Sequence, residues 1–431
     1  MRKDSTALAV VAGSAIALAT AFSAFADDPK APITVWVDAN REPQAQAYKA
    51  AHPDVNITID VVDPSQGSNT SKIALAVKAK SGIPDVVFLG TPDELATLSA
   101  RPISFPMALN TVVPKATMDG FGTTLARCTY GGKVMCLGND IGQTVFWYNK
   151  PQFAAWGYTP PKTFDEFKAL GDKLAKEHPG YNLGTVNGRY GVDAFFGSSG
   201  CPVIDATSLA DVRINTADPK CARVGEVIGP MIANGSLSTL DLFDKNYTTQ
   251  VASGKVVGMI GASWVADYAF KPMTTNSGTD FDAKGKFAAA PMPTWSGESS
   301  NWSGAVGGGI WVVSNRASNV KAAVDFAVGM TTSPDIAKTQ ATYPAYGPSA
   351  DIWLKAKAVD SWYAADPSSV LKDAGSKINP ADGYVRYQTQ ALDAFNQTVI
   401  ANGATDMTGS LKAWGDQLLQ AAQSAGYTVT Q

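Results

Sequence analysis

Residues 81–94 read Ser81-Gly-Ile-Pro-Asp-Val-Val-Phe-Leu-Gly-Thr-Pro-Asp-Glu94, and the fold turns on them. Ser81-Gly82 ends a helix. Pro84 to Leu89 carries a continuous apolar run, the pattern of a strand buried on both faces. Pro92 opens the next helix, to Ser99, with Asp93 and Glu94 in its first turn, where a helix dipole favours acids. The same alternation extends backwards. Ser68 to Lys80 holds Ile73, Leu75, Ala76 and Val77 at helical spacing. Val55 to Val62 alternates as a strand, Glu42 to Ala51 reads as a helix stopped by His52-Pro53, and Ile33 to Val37 (ITVWV) is a buried strand. The order β-α-β-α-β-α predicts a doubly wound parallel sheet. Ligands of such sheets bind beyond the strand carboxyl ends, here 38–41, 63–67 and Gly90-Thr91.

Further along, Thr144 to Asn149 (TVFWYN) reads as a strand. Phe164 to Lys176 is a helix opened by a Thr163/Glu166 capping box. Val224 to Ala233 is another helix. Gly254-Lys-Val-Val-Gly-Met-Ile-Gly-Ala-Ser-Trp264 gives a buried strand at Val256 to Ile260. Three small residues then lead to Trp264, whose ring is expected at the carboxyl end of a parallel sheet. One more strand lies at 307–313, with a helix at Asn319 to Met330 behind it. The last third is helical, at Pro348 to Ala356, Asp382 to Ile400 and Ser410 to Ala425. No repeat or low-complexity linker separates two regions. Two domains without a linker imply that the chain crosses between them more than once.

The 431 residues suffice for two full cores. Arg2 and Lys3, the small apolar stretch Ala7–Phe22, and Ala24-Phe25-Ala26 form a leader, so residues 1–26 are expected to be a signal peptide cleaved near Ala26. No Cys stands near that point for lipid attachment. No later run reaches the about 18 apolar residues of a spanning helix. The net charge is −3 without basic runs, which argues against nucleic acid or an anionic membrane surface as partner. Only 17% of residues are charged. Gly, Ser, Thr, Asn and Trp take their place, a composition suited to neutral, hydroxylated molecules. Four cysteines point to two disulfides in an oxidising compartment. Spacing favours Cys128–Cys136 across a three-residue Gly131-Gly132-Lys133 loop that pairs Tyr130 with Val134, which leaves Cys201–Cys221. No CxxC pair exists, and both histidines sit in His-Pro helix stops (His52, His178), so no metal is assigned.

Four stretches resemble the maltose-binding-protein-like extracellular solute-binding proteins of sugar ABC importers. They are Ile33-Thr-Val-Trp-Val-Asp38 with the following His-Pro-Asp-Val-Asn-Ile strand; Ser81-Gly-Ile-Pro-Asp-Val-Val87; Tyr130-Gly-Gly-Lys-Val-Met-Cys-Leu-Gly-Asn-Asp140 with Phe146-Trp-Tyr-Asn-Lys150; and Gly254–Trp264 with Gly304-Ala-Val-Gly-Gly-Gly-Ile310. Asn139 departs from the family, which often has Pro there. The resemblance implies an α/β, two-lobed periplasmic-binding-protein fold of type II kind, with hinged lobes built from discontinuous segments. Lobe one would be 27–139 plus 309–342, and lobe two 143–302 plus 348–431. The crossovers would be 140–142, 303–308 and 343–347.

The resemblance also implies a ligand in the cleft between the lobes. Sugar recognition needs an aromatic face for the C–H side of a pyranose and charged or amide groups for its hydroxyls. Trp264 stands where the family places a stacking aromatic. Trp302 and Tyr346 lie at crossovers, with Trp295 nearby, while Trp36, Trp147, Trp311 and Trp414 are expected in the core. Asp38, Asn40 and Arg41 follow the first strand, Asp140 lies at a crossover, Thr91 and Asp93 follow the third strand, and Asp85 matches the family motif. These residues are the expected polar contacts. The expected function is capture of a carbohydrate, as an oligosaccharide, and its delivery to ABC permease subunits by an exported, monomeric protein without cofactor. A polyamine or other non-sugar solute is the alternative. A secreted glycoside hydrolase would need two facing carboxylates. No Gly-x-Ser-x-Gly elbow, phosphate loop or usable His supports an enzyme.

Overall fold

The computed structural model describes residues 28–62, 68–206, 208–275, 277–379 and 385–430. The expected leader at 1–26, with its cleavage point near Ala26, and the loop 63–67 lie outside these residues.

The first sheet has five strands in the order Ile57–Val61, Ile33–Val37, Val86–Leu89, Ile310–Val313, Leu137–Gly138. The three N-terminal strands are parallel, with Ile33 opposite Ile57 and Val35 opposite Val86. Ile310–Val313 returns from far along the chain and runs antiparallel to both neighbours. Its side chains and those of Val86–Leu89 are buried throughout, as their continuous apolar runs require. Helices Glu42–Ala51 and Val320–Thr332 cover one face, Tyr48 meeting Phe326 edge-on at 4.9 Å.

The second sheet corrects an expectation. Thr144–Asn149 is its centre, and Gly258–Ala262 and Phe287–Ala290 both pair with it antiparallel. Trp264 therefore follows a strand of an antiparallel sheet, and the strand lies two residues later than the apolar run suggests. An apolar run encodes burial but not direction, which the pairing partner sets. Phe146 and Trp147 are fully buried in this lobe, and helix Phe164–Glu177 packs on it through Phe167. Thr163 caps that helix by accepting the Glu166 N–H at 3.1 Å. A small third sheet joins Thr428–Thr430, in parallel, to Asp211–Arg213.

Both disulfides form as spacing predicts, Cys128–Cys136 and Cys201–Cys221. The hairpin register differs. The turn has two residues, Gly131 and Gly132, at φ of +60° and +74°, so Tyr130 pairs with Lys133 and Thr129 with Val134. Two glycines in a row permit the tight mirror-image turn that suits strand twist. The second cysteine pair clamps the start of helix Pro219–Ala233, which begins five residues earlier than expected, behind an Asp218 cap. His52 and His178 end their helices as expected, each stacked on an aromatic ring, Tyr48 and Trp156.

Two chain segments, 139–143 and 291–309, join the two large sheets side by side, and a third, at 343–345, runs along their flank. Asn139 N–H donates to Gly309 O at 2.7 Å, Val306 N–H to Gly142 O at 2.9 Å and Thr144 N–H to Gly304 O at 3.1 Å. On the other flank Ala345 N–H donates to Asn139 O at 3.1 Å and Ile141 N–H to Tyr343 O at 3.3 Å. Gly142, at φ +62°, has no room for a Cβ against Val306 O. Arg127 laces the ribbon, donating from Nη1 to Ile141 O at 2.6 Å and from Nη2 to Gly307 O at 3.2 Å.

Candidate ligand-binding site

The carboxyl end of Ile33–Val37 delivers Asp38 to the edge of the first sheet. Asp38 is buried, and its two oxygens accept the Arg41 backbone N–H at 2.8 Å and Arg41 Nη1 at 2.9 Å. The guanidinium lies 4.2 Å over the Phe88 ring and 3.6 Å from Asp140 Oδ1. Asp140 also accepts from Asn139 Nδ2 at 2.8 Å and Gly309 N–H at 3.1 Å. Burial raises the Asp140 pKa, while Arg41 and these N–H groups pull it back. Asp38, Arg41 and Asp140 thus form one charged network that ties the sheet edge to the first crossover. Asn139 serves it too, since its carbonyl accepts Trp311 Nε1–H at 3.1 Å.

The opposing wall is aromatic. Trp264 stands immediately before a π-helical turn, Val265–Phe270, and Tyr268 lies one turn on. Trp264 is half-buried and donates from Nε1 to Val306 O at 3.0 Å. It meets Tyr268 edge-to-face at 5.6 Å and Tyr190 at 6.5 Å. Asn40, exposed, donates from Nδ2 to Tyr268 Oη at 2.7 Å, so the two walls touch there.

They touch again beyond the third strand. Asp93 takes Arg189 Nη2 on both oxygens, at 3.1 and 3.2 Å. Arg189 Nη1 donates to Asp193 at 3.2 Å. Arg189, like Trp264, directly precedes a π-helical turn, Tyr190–Phe196; such turns are frequent at functional sites. Glu94 is buried here, and burial first, then the Asp93 charge, pushes its pKa up to about 8. Burial pushes Asp193 up to about 6, against Arg189. Thr91 lines a cavity of about 40 Å³ with Asp93, Glu94, Arg189 and Gln388. A second cavity, of about 130 Å³, lies between Asn40, Arg41, Asn139, Tyr268 and Gln340.

Among the described cavities the largest, about 780 Å³, lies elsewhere, between helices Pro219–Ala233 and Met407–Ser424. Its walls hold no aromatic ring and one acid, Glu226, so size alone does not make it a solute site. Among the described residues no group of three or more His, Cys, Asp or Glu could hold a metal ion.

The structure therefore brings together Asp38, Asn40, Arg41 and Asp140, links Trp264 to Asn40 through Tyr268, and sets Thr91 and Asp93 around one small cavity. Asp85 stands apart, at the amino end of its strand, where its carboxylate accepts the Thr34 N–H at 2.7 Å. Trp302 is half-buried beside the Ser303 crossover. Tyr346 packs on Phe121, with ring centroids 5.1 Å apart, and over Gly120. Trp295 is a core residue, stacked at 3.5 Å on Phe164. Trp147, Trp311 and Trp414 are fully buried as expected, while Trp36 is half-buried against the core. Sequence reasoning overlooked Glu94 as a cleft residue, and Arg127, Arg189, Tyr190 and Tyr268 altogether. Tyr268 had a signal: it falls at i+4 from Trp264 after a strand end. Arg189 had none, because its partner Asp93 is remote in sequence.

The family model described as bacterial extracellular solute-binding protein matches residues 34–335. No curated protein sequence matches the chain. Among solved structures, the chain resembles the galacto-N-biose-/lacto-N-biose I-binding protein of an ABC transporter from Bifidobacterium longum, in complex with lacto-N-biose. The two are 18% identical with a TM-score of 0.77, over 94% of this chain and 100% of that one. It also resembles the ABC transporter associated binding protein from B. animalis subsp. lactis Bl-04 in complex with beta-1,6-galactobiose, at 19% identity and a TM-score of 0.75, again over 94% and 100%. The GacH receptor of Streptomyces glaucescens GLA.O, at 20% identity and a TM-score of 0.69, covers 92% of this chain with 99% of its own. The two-lobed architecture is shared along nearly the whole chain, and among the described residues no helix is long and apolar enough to cross a membrane. With its family match covering residues 34–335, more than half of its length, the chain belongs to the bacterial extracellular solute-binding proteins.

Proposed function

We propose that the protein is the substrate-binding component of an ABC importer, that it captures an oligosaccharide between its lobes, and that it delivers the sugar to membrane permease subunits. One observation carries this reading: Tyr268, in ring contact with Trp264, lines the same cavity as Arg41, whose guanidinium is held by Asp38 and Asp140. A flat apolar ring opposite fixed donors and acceptors matches the two chemical faces of a pyranose. Relatives of the same fold are described in complex with galactobiose, lacto-N-biose and acarbose, which supports a carbohydrate. The family and these relatives bind solutes, and the binding role replaces an enzymatic one.

In this reading residues 27–139 plus 309–342 are lobe one and 143–302 plus 348–431 lobe two, joined at 140–142, 303–308 and 343–347. The protein is exported to the periplasm or cell surface after cleavage near Ala26, and works as a monomer without cofactor. The cavities of about 40 and 130 Å³ along the cleft are smaller than the roughly 300 Å³ or more of ordinary ligand pockets. Sugar entry therefore parts the Asp93–Arg189 and Asn40–Tyr268 contacts. Thermal shift of the mature protein against mono- and oligosaccharides tests the reading. A sugar at about 100 times its Kd adds about 2.7 kcal/mol of stability. Stabilisation by a polyamine, and by no sugar, overturns it.

A further inference from the structure

Among the exposed large apolar side chains of the described residues, Phe243 is the one aromatic, and it is 55% exposed. Its position is fixed rather than loose. Its backbone N–H donates to Asp241 Oδ1 at 2.8 Å, and Asp244 next to it caps helix Lys245–Ala252. On its other side Leu242 is fully buried. Asn187 Nδ2 holds Thr239 O at 2.8 Å, fastening this turn to the segment that leads into Arg189. A rigid turn that buries Leu242 does not need a Phe beside it in water.

The ring has a neighbour, however. Phe243 meets Tyr268 edge-to-face at 6.4 Å. Tyr268 meets Trp264 at 5.6 Å, and Trp264 meets Tyr190 at 6.5 Å. Four rings from three separate segments thus form a continuous line. It starts inside, at buried Tyr190, passes half-buried Trp264 and Tyr268, and ends in solvent at Phe243. Asn40, exposed on the opposite wall, sets its amide against Tyr268 midway along this line.

We infer that Phe243 is the outer platform of an extended sugar site, and that it selects oligosaccharides of three or more units over mono- and disaccharides. The inference rests on the carbohydrate reading. The inner rings serve the first units of any sugar. Phe243 lies beyond them and touches only a chain long enough to leave the cleft. A rigid aromatic placed in advance adds contact area at little entropic cost.

Calorimetry on the mature protein tests this with two size series, maltose to maltotetraose and beta-1,6-galactobiose to its tetrasaccharide. In the series that binds, the wild type gains about tenfold in affinity, 1.4 kcal/mol, between the disaccharide and the trisaccharide. Phe243→Ala loses that gain and keeps the disaccharide Kd within about twofold, and Phe243→Tyr restores the gain. The melting temperature of Phe243→Ala stays at the wild-type value, because the ring is exposed. A Phe243→Ala protein that keeps the length gain, or that weakens all lengths equally, overturns the outer platform and leaves the sugar reading standing. Binding of no sugar in either series or in the wider panel of mono- and oligosaccharides overturns both.

Discussion

Trp264 has two jobs in this structure, and they separate by substitution. Its ring face belongs to the aromatic wall, and its indole N–H holds the Val306 carbonyl of a crossover. Trp264→Ala removes both. Sugar affinity is expected to fall at least about 30-fold, or about 2 kcal/mol, as for a central aromatic anchor. Trp264→Phe keeps a ring but leaves Val306 O without its donor. The empty protein should then lose about 1 kcal/mol in urea unfolding, the net value of one hydrogen bond, while affinity falls less than tenfold. Near-normal affinity in Trp264→Ala would remove the ring from the binding site.

Arg127 acts on an element, the crossover ribbon, because one guanidinium reaches carbonyls on two of its strands. Arg127→Ala strands both acceptors, and a loss of about 2–3 kcal/mol in urea unfolding is expected. Arg127→Lys keeps the charge but not the planar fork, so it should recover only part of that loss. At this scale the sequence was also most legible. The parallel strands and helices of residues 33–99 showed in their periodicities, because burial on two faces leaves an apolar run and burial on one leaves a helical stripe. Strand direction was not legible at Gly258–Ala262, since Met259 and Ile260 pack alike in either sense. The hairpin register escaped for a similar local reason: Gly131-Gly132-Lys133 fits a three-residue loop as well as Gly131-Gly132 fits a two-residue one. Of the cleft, the wall made by consecutive residues, Asp38 to Arg41, could be read. The Asp93–Arg189 contact could not, because nothing near either residue announces the other.

For the whole molecule, the buried carboxyls of the cleft set a pH dependence. Glu94 holds its proton up to about pH 8, against an ordinary 4.5, and Asp193 up to about 6, against 3.8. In these windows the folded chain binds protons that the unfolded chain has released, so stability falls as pH rises. The melting temperature of the unliganded protein is therefore expected to be higher near pH 5 than near pH 8. Glu94→Gln, neutral throughout, should flatten most of that slope, and a stability that rises over the same range would contradict this account. The crossover ribbon has a mechanical consequence. A single connecting strand lets two bodies swivel, twist and slide against each other. Three strands laced edge to edge behave like a strip of webbing, stiff to shear within its plane and compliant only to folding across it. If the lobes hinge as proposed, each closure returns Asn40 to Tyr268 and Asp93 to Arg189 along the same arc, so the jaws meet in register without any contact having to search for its partner.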